Sequence, residues 1–277
     1  MERQKITIAD ILAKKKSGKK ITMLTAYDYP LASLIDQSEL DIILVGDSVA
    51  NVVLGLDSTT KVGMDEMIHH AKAVRRAVKY ALVIGDMPYA SYQIDVKDSV
   101  RNAQRFIDEA GCEAVKLEWF DKCLEATEQI IKAGISVMGH IGLTPQTATQ
   151  LGGFKVQGKD ADAAKRLIQQ AKDLERLGCF SIVLECVPDK VAELITKQLK
   201  IPTIGIGAGI NCDGQVLVTH DMLGLFERFK PKFVKQYLNL SNLILSAIRE
   251  YKREVEENQF PTPDHSFTIK QEELDKL

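Results

Sequence analysis

No sign of charge dominates this chain. Across 277 residues, 36 lysines and arginines nearly balance 38 aspartates and glutamates, for a net charge of −2. Such a balance offers no field to attract a nucleic acid or an anionic membrane. Cysteine is sparse and shows no pairing pattern. Cys112, Cys123, Cys179, Cys186 and Cys212 are odd in number, dispersed, and never spaced C-x-x-C. That argues against a disulfide framework and against a zinc knuckle. No apolar run reaches the length of a membrane span. The opening "MERQKITIADILAKKKSGKK" lacks the apolar core of a secretory signal and contains acids. Together these absences predict a cytoplasmic protein with neither nucleic acid nor membrane as a partner. Internal repeats and low-complexity tracts are missing as well.

What is present is alternation. Short apolar runs at 21–25, 42–45, 82–84, 114–117, 136–138, 181–184, 203–206 and 216–218 read as strands. Between most of them lie segments of helical period, at 64–78, 99–110, 123–133, 161–177 and 189–198. The first of these follows Thr59-Thr60 and has acids in its first turn, as a helix start should. Strand and helix repeated about eight times predict an α/β fold, a (β/α)₈ TIM barrel. A doubly wound open sheet is the rival, but it needs a glycine-rich phosphate turn after its first strand. Here that strand runs into "TAYDYP". A leading helix around 10–16 would cap the underside of the barrel. The lysines Lys14, Lys15, Lys16, Lys19 and Lys20 read as a solvated turn beyond it. The expected division is one barrel domain with its N-terminal helix over 1–255, then a charged surface extension over 256–277.

The strand ends carry the chemistry. "IILVGDS", "ALVIGDMPY", "AVKLEWF" and "SIVLECVP" place Asp47, Asp86, Glu118 and Glu185 where strands finish. In a barrel of this type, function collects at those C-terminal ends. Alternate strand residues share a face. Lys116 and Glu118 therefore point together, while Val115 and Leu117 point toward the covering helices. Taken singly, such an aspartate is commonly a helix cap or an Asx turn, and Lys116–Glu118 can be a buried ion pair. Taken together, four acids at one mouth repel and need a cation. Carboxylates without clustered cysteine or histidine suit a hard ion, Mg²⁺ above all.

Other residues carry less. His69 and His70 sit mid-helix as surface or packing residues. His220 precedes Asp221, which can cap a helix over "MLGLFERF". His140, in "VMGHIGLTPQ", lies at a strand end and can face the site. "GIGAG" at 205–209 suits a phosphate cradle, a flat ligand or close strand packing.

Nine segments taken together are more specific. "TAYDYP", "VGDSVANVVLG", "GDMPY", "VKLE", "GHIGLTPQ", "GGFKVQG", "VLECVP", "IGIGAG" and "DGQVLVTHDMLG" resemble, in order, the motif series of the ketopantoate hydroxymethyltransferase (3-methyl-2-oxobutanoate hydroxymethyltransferase) family. The resemblance covers roughly residues 21–237. It implies a barrel related to the phosphoenolpyruvate/pyruvate enzymes. It also implies transfer of a hydroxymethyl group from 5,10-methylenetetrahydrofolate to 3-methyl-2-oxobutanoate, giving ketopantoate for pantothenate and coenzyme A. By motif, Asp47, Asp86 and Glu118 correspond to the family's Mg²⁺ site. Asp47, Ser48, Asp86 and Lys116 correspond to its keto-acid contacts, and Glu185 to its general base. The implied course is an enolate stabilised by Mg²⁺, in a large homo-oligomer, typically a decamer. A Mg²⁺-dependent carbon–carbon lyase of the phosphoenolpyruvate mutase/isocitrate lyase kind is the enzymatic alternative. It usually brings a catalytic cysteine or a further acid on a mobile loop, and Cys186 is the only candidate beside the site. A barrel kept only for binding or assembly is the non-enzymatic alternative, against which the cost of an idle acid cluster argues.

Overall fold

The computed structural model describes residues 3–148 and 155–277. The first three residues of "GGFKVQG" (152–154) lie outside them. Two compact units are present, one of residues 1–219 with 231–234, the other of 220–230 with 235–277.

The first unit is built on eight parallel strands. They are β1 (Ile21–Thr25), β2 (Ile42–Val45), β3 (Leu82–Asp86), β4 (Ala114–Glu118), β5 (Val137–Gly142), β6 (Ser181–Glu185), β7 (Thr203–Ile206) and β8 (Gly214–Leu217). Each pairs with the next, and β8 returns to β1 with Gly214 opposite Ile21, closing the barrel. The helices are α1 (Ile8–Ser17), α2 (Tyr29–Gln37), the single turn α3 (Val49–Val52), α4 (Met64–Ala77), α5 (Lys97–Asp108), α6 (Cys123–Lys132), α7 (Ala161–Leu177) and α8 (Asp189–Gln198). Period-two alternation along the strands divides the core in two. Ile42, Leu82, Ile84, Ala114, Met138, Val183 and Ile204 fill the barrel interior. Ile43, Val83, Val115, Leu117, Val137 and Ile182 join the helices in the outer layer. The expected orientation of Val115 and Leu117 is the one observed.

The helix α1 has a full capping box, Thr7 with Asp10, and stops at Gly18 in the left-handed conformation. Its Ile11 is completely buried among interior residues that include Ile21, Ile42 and Ile204. The leading helix therefore does plug the barrel. The lysine run is not a free solvated turn. Lys14 pairs with Asp41, and Lys15 Nζ lies 2.8 Å from Asp213 Oδ2. Lys20 Nζ donates to Cys212 O at 2.5 Å. Asp213 also receives the Thr203 N–H at 2.9 Å. The lysines are recruited because strand starts leave buried carboxylates that need positive partners.

"GIGAG" is explained by packing. A Cβ at Gly205 would meet Cys212 Sγ at 2.9 Å, one at Gly207 Phe233 Cδ1 at 2.8 Å, and one at Gly209 Asp189 Cβ at 2.6 Å. The five cysteines are all free thiols.

The second unit contains α10 (Leu240–Glu256) and the short α11 (Gln271–Leu274). The brief α9 (Thr219–Met222) comes before them. The helix expected over "MLGLFERF" does not form. Gly224 adopts φ +66° and the Leu225 N–H returns to His220 O at 2.8 Å, which ends the helical turn. No described helix is long and apolar enough to cross a membrane.

Candidate active site

The barrel mouth inherits the interior parity of the strands. Continuing 82 and 84 brings Asp86 inward. Continuing 114 brings in Lys116 and Glu118, 138 brings in His140, and 183 brings in Glu185. Four parallel strands, β3 to β6, thus deliver five ionisable groups to one place, in register. Asp86 stands opposite Lys116, Glu118 opposite His140, and Gly142 opposite Glu185. Asp47 arrives differently. It lies in the turn after β2, where its backbone N–H donates to Asp86 Oδ2 at 3.0 Å. Ser48 follows it, with Oγ 2.7 Å from the Tyr27 hydroxyl.

The groups are almost fully withdrawn from water. Asp86 and Glu118 are each 1 % exposed, Lys116 4 % and His140 3 %. Lys116 Nζ lies 2.7 Å from Asp86 Oδ1 and 3.8 Å from Glu118 Oε1. The angles at Asp86 Oδ1 leave that oxygen without an aligned hydrogen bond. His140 stands between two acids, with Nδ1 3.5 Å from Glu118 Oε1 and Nε2 3.2 Å from Glu185 Oε2. The sequence left open whether His140 faces the site. It does, and it joins Glu185 to the rest of the cluster.

The electrostatics follow from this crowding. Burial pushes the Asp86 carboxyl up to about 8, with the Asp47 and Glu118 charges adding to the rise against Lys116. Asp47 is raised by burial and then by Glu118. Glu185 is raised by burial, which His140 only partly offsets. Burial would raise Glu118 too, but His140, Lys116 and the Gln146 N–H hold it below its ordinary value. Burial and Lys116 disfavour a charged His140. Its contacts with Glu118 and Glu185 outweigh them and carry it up to about 9. Lys116 resists its own desolvation because Asp86, Glu118 and Asp47 surround it, and it titrates above its ordinary value. Four acids share two cations, so the mouth is short of positive charge.

Among the described residues, no three acid, histidine or cysteine side chains stand in a ready-made metal-binding arrangement. The donor chemistry still fits a hard cation. Asp47 and Asp86 are adjacent buried carboxylates, Asp86 Oδ1 lacks an aligned donor, and the burial that raises both would be offset by positive charge.

Two residues outside the expected set organise the site. Gln146, in the 3₁₀ turn Pro145–Thr147 after β5, donates from Nε2 to Asp47 Oδ2 at 2.9 Å and to Met87 O at 3.0 Å. Its backbone N–H donates to Glu118 Oε2 at 3.0 Å. Tyr92 donates to Gln146 Oε1 at 2.7 Å and accepts from the Glu118 N–H at 3.0 Å. Neither is a charged residue at a strand tip, so neither stood out. The available signal was position, since Gln146 closes the quoted segment "GHIGLTPQ" just past a strand end. Cys186, beside Glu185, holds φ +49° and is partly exposed. Burial pushes its thiol up to about 12, unlike an activated nucleophile.

Comparison with known proteins bears on the fold and the family. The barrel resembles phosphonopyruvate hydrolase in complex with oxalate and Mg²⁺, with a TM-score of 0.59, 13 % identity, and 98 % and 94 % of the two chains covered. It also resembles 2,3-dimethylmalate lyase, a member of the PEP mutase/isocitrate lyase superfamily, with a TM-score of 0.56, 13 % identity, and 97 % and 96 % covered. At such identity these likenesses establish the fold alone. A protein of Syntrophomonas wolfei named 3-methyl-2-oxobutanoate hydroxymethyltransferase is 56 % identical over 273 residues, 99 % of each chain. Its namesake from Heliobacterium modesticaldum is 55 % identical, over 97 % of this chain and 98 % of the relative. A profile of the ketopantoate hydroxymethyltransferases matches residues 5–263. With identity of this order running the length of the chain, the protein belongs to the ketopantoate hydroxymethyltransferase family.

Proposed function

We propose that the chain transfers a hydroxymethyl group from 5,10-methylenetetrahydrofolate to 3-methyl-2-oxobutanoate, forming ketopantoate on the route to pantothenate and coenzyme A. The observation that carries this reading is the entry of Glu185 into the same mouth as Asp47, Asp86, Lys116 and Glu118, with His140 between. The chemistry needs that combination. The substrate C3–H is too weakly acidic for an unaided carboxylate of ordinary pKa about 4. A base must stand beside a concentration of positive charge that favours the enolate.

Glu185 takes the C3 proton. Its pKa is raised by burial, so the carboxylate is a stronger base than one in water. His140, with Nε2 3.2 Å from Glu185 Oε2 but no aligned hydrogen bond to it, carries positive charge near that carboxylate. Lys116, held cationic by its acids, faces the keto oxygen or the substrate carboxylate and favours the charge that develops there. Ser48, fixed by Tyr27, offers a hydroxyl and a backbone N–H to the substrate carboxylate. Asp47 and Asp86 would hold Mg²⁺, with Glu118 as the third carboxylate of the site. Mg²⁺ when bound supplies a Lewis acid for the keto and carboxylate oxygens. Gln146 keeps Asp47 and Glu118 in place from one turn. Water hydrolyses both C–N bonds of the one-carbon unit, releasing it as formaldehyde and leaving tetrahydrofolate; the C3 carbanion equivalent adds to that carbonyl carbon, and its oxygen takes up a proton to become the hydroxymethyl group.

The lyase alternative shares the fold, but its nucleophile is lacking in the one nearby candidate, Cys186. We take the protein to be cytoplasmic and a homo-oligomer, with a decamer as the family's form. Supporting assembly, Ile244, Ile248, Tyr251 and Val255 recur on one face of α10 and are exposed. The deciding experiment is ketopantoate formation from both substrates, with and without Mg²⁺. Product only with Mg²⁺ and folate present is expected. Cleavage of a 2-hydroxy-acid substrate without folate would instead identify a lyase.

A further inference from the structure

A second concavity opens on the β4–β5 side of the mouth. It is a cleft of about 270 Å³ between the loop after β4 and the first half of α7. Trp119 and Phe120 line one side, and Arg166 and Gln170 of α7 line the other. Asp121 and Gly142 line it as well. The Phe120 ring is braced edge-on by Tyr92, with centroids 5.3 Å apart. Among the described residues the side chains of Asp121, Arg166 and Gln170 make no hydrogen bond or ion pair. Trp119 and Phe120 pack against the outer core on one side, and the aromatic surface they keep toward unengaged polar groups across the cleft has the composition of a ligand site.

The cleft adjoins the chemistry. Trp119 directly follows Glu118, and its backbone N–H donates to His140 O at 2.9 Å. Gly142 pairs with Glu185 in the β5–β6 register. A Cβ there would lie 2.2 Å from the Glu185 backbone O, and φ is +99°, so only glycine lets the lining run this close to the Glu185 backbone. Gly142 thus joins the lining of the cleft to the backbone of Glu185.

We infer that this cleft receives the ring end of the folate co-substrate, a reading that rests on the proposed transfer reaction. A reduced pterin is a flat bicycle with an amide edge. Trp119 and Phe120 offer the stacking surface, and Asp121 and Gln170 offer partners for the N–H and carbonyl groups of that edge. The volume lies just below the usual range of small-molecule sites, so it takes a ring system and leaves an extended tail outside. Arg166, exposed at the rim, meets the acidic tail as it leaves. The one-carbon unit, carried between ring and tail, is then brought toward Glu185, where the keto acid loses its proton.

Trp119 is the only tryptophan of the chain, so its fluorescence reports on the cleft alone. Titrating the full-length protein with tetrahydrofolate, with free tryptophan correcting for absorption, is expected to give saturable quenching. Arg166→Ala is expected to raise the tetrahydrofolate Kd and the methylenetetrahydrofolate KM by about 10-fold, the scale of one charge-assisted contact. The keto-acid KM should hold. Trp119→Ala should raise the folate KM, and Trp119→Phe should restore much of it. Turnover without Trp119 quenching, or a wild-type folate KM in both Arg166→Ala and Trp119→Ala, overturns the assignment. A chain that neither transfers nor exchanges the keto-acid C3 hydrogen refutes the reaction instead. In that event quenching by tetrahydrofolate alone decides whether the cleft binds a pterin.

Discussion

Replacing Gln146 with leucine tests whether one neutral side chain organises the carboxylates. Gln146 is buried, at 4 % exposure. Gln146→Leu keeps its length and removes four hydrogen bonds, to Asp47 Oδ2, to Met87 O, from Tyr92 and from Gln93 Nε2. The bond to a carboxylate is worth about 1.5–3 kcal/mol, and a stranded buried polar group costs about 1–3 kcal/mol. Gln93 is half-buried and Tyr92 keeps it as a partner, so part of the loss is recovered. Neighbouring losses do not add fully, which leaves about 3–5 kcal/mol of destabilisation. At roughly 2–4 °C per kcal/mol for a domain near this size, the Tm should fall by about 10 °C. The backbone bond from Gln146 to Glu118 survives, but Asp47 loses its only side-chain donor among the hydrogen bonds described. Divalent-ion affinity should then drop by about 10–100-fold, as when other groups that orient metal ligands are removed. Calorimetric titration with Mg²⁺ and Mn²⁺ electron paramagnetic resonance read this without turnover. Tyr92→Phe is the matched control. It disturbs the same network and lowers the Tm, yet leaves the Gln146–Asp47 bond, so ion affinity should change much less. Equal loss of ion affinity in both variants, or none in Gln146→Leu, would refute the role given to Gln146.

Three further outcomes follow from the same geometry. In D₂O without folate, Glu185→Gln should slow exchange of the C3 hydrogen of 3-methyl-2-oxobutanoate by about 10²-fold or more while still binding the keto acid. Wild-type exchange, read by proton NMR, would assign the base elsewhere. Lys116→Met should raise the keto-acid KM and lower kcat together, because it removes the cation from beside Asp86 and Glu118; steady-state constants equal to wild type would reduce Lys116 to an ion-pair partner. Asp86→Asn should weaken Mg²⁺ and keto-acid binding in parallel with the fold retained by circular dichroism, and undiminished Mg²⁺ affinity by calorimetry would take Asp86 out of the metal site.

Sequence alone determined the periodic part of this protein. Apolar runs spaced by amphipathic helices specify a closed parallel barrel, because strands buried on both faces and helices with one apolar face have few other ways to pack. The same two-residue period put Lys116 and Glu118 on one face, and the strand ends put Asp47, Asp86 and Glu185 at the mouth. Parity is a local property, and local properties can be read along a chain. Tertiary structure decided what depends on distance between segments far apart in sequence. The lysine run near residue 15 looked solvated because its partners, Asp41 and Asp213, lie up to 198 residues away. Gln146 carried no charge to mark it, and its meaning comes from Asp47, 99 residues earlier. His140 became a bridge only when β4 and β6 closed on either side of β5. In each case the side chain's chemistry was visible in the sequence. Its partner was supplied by the closing of the barrel, which brings eight separate strand ends to one small volume and so sets which charges must answer one another.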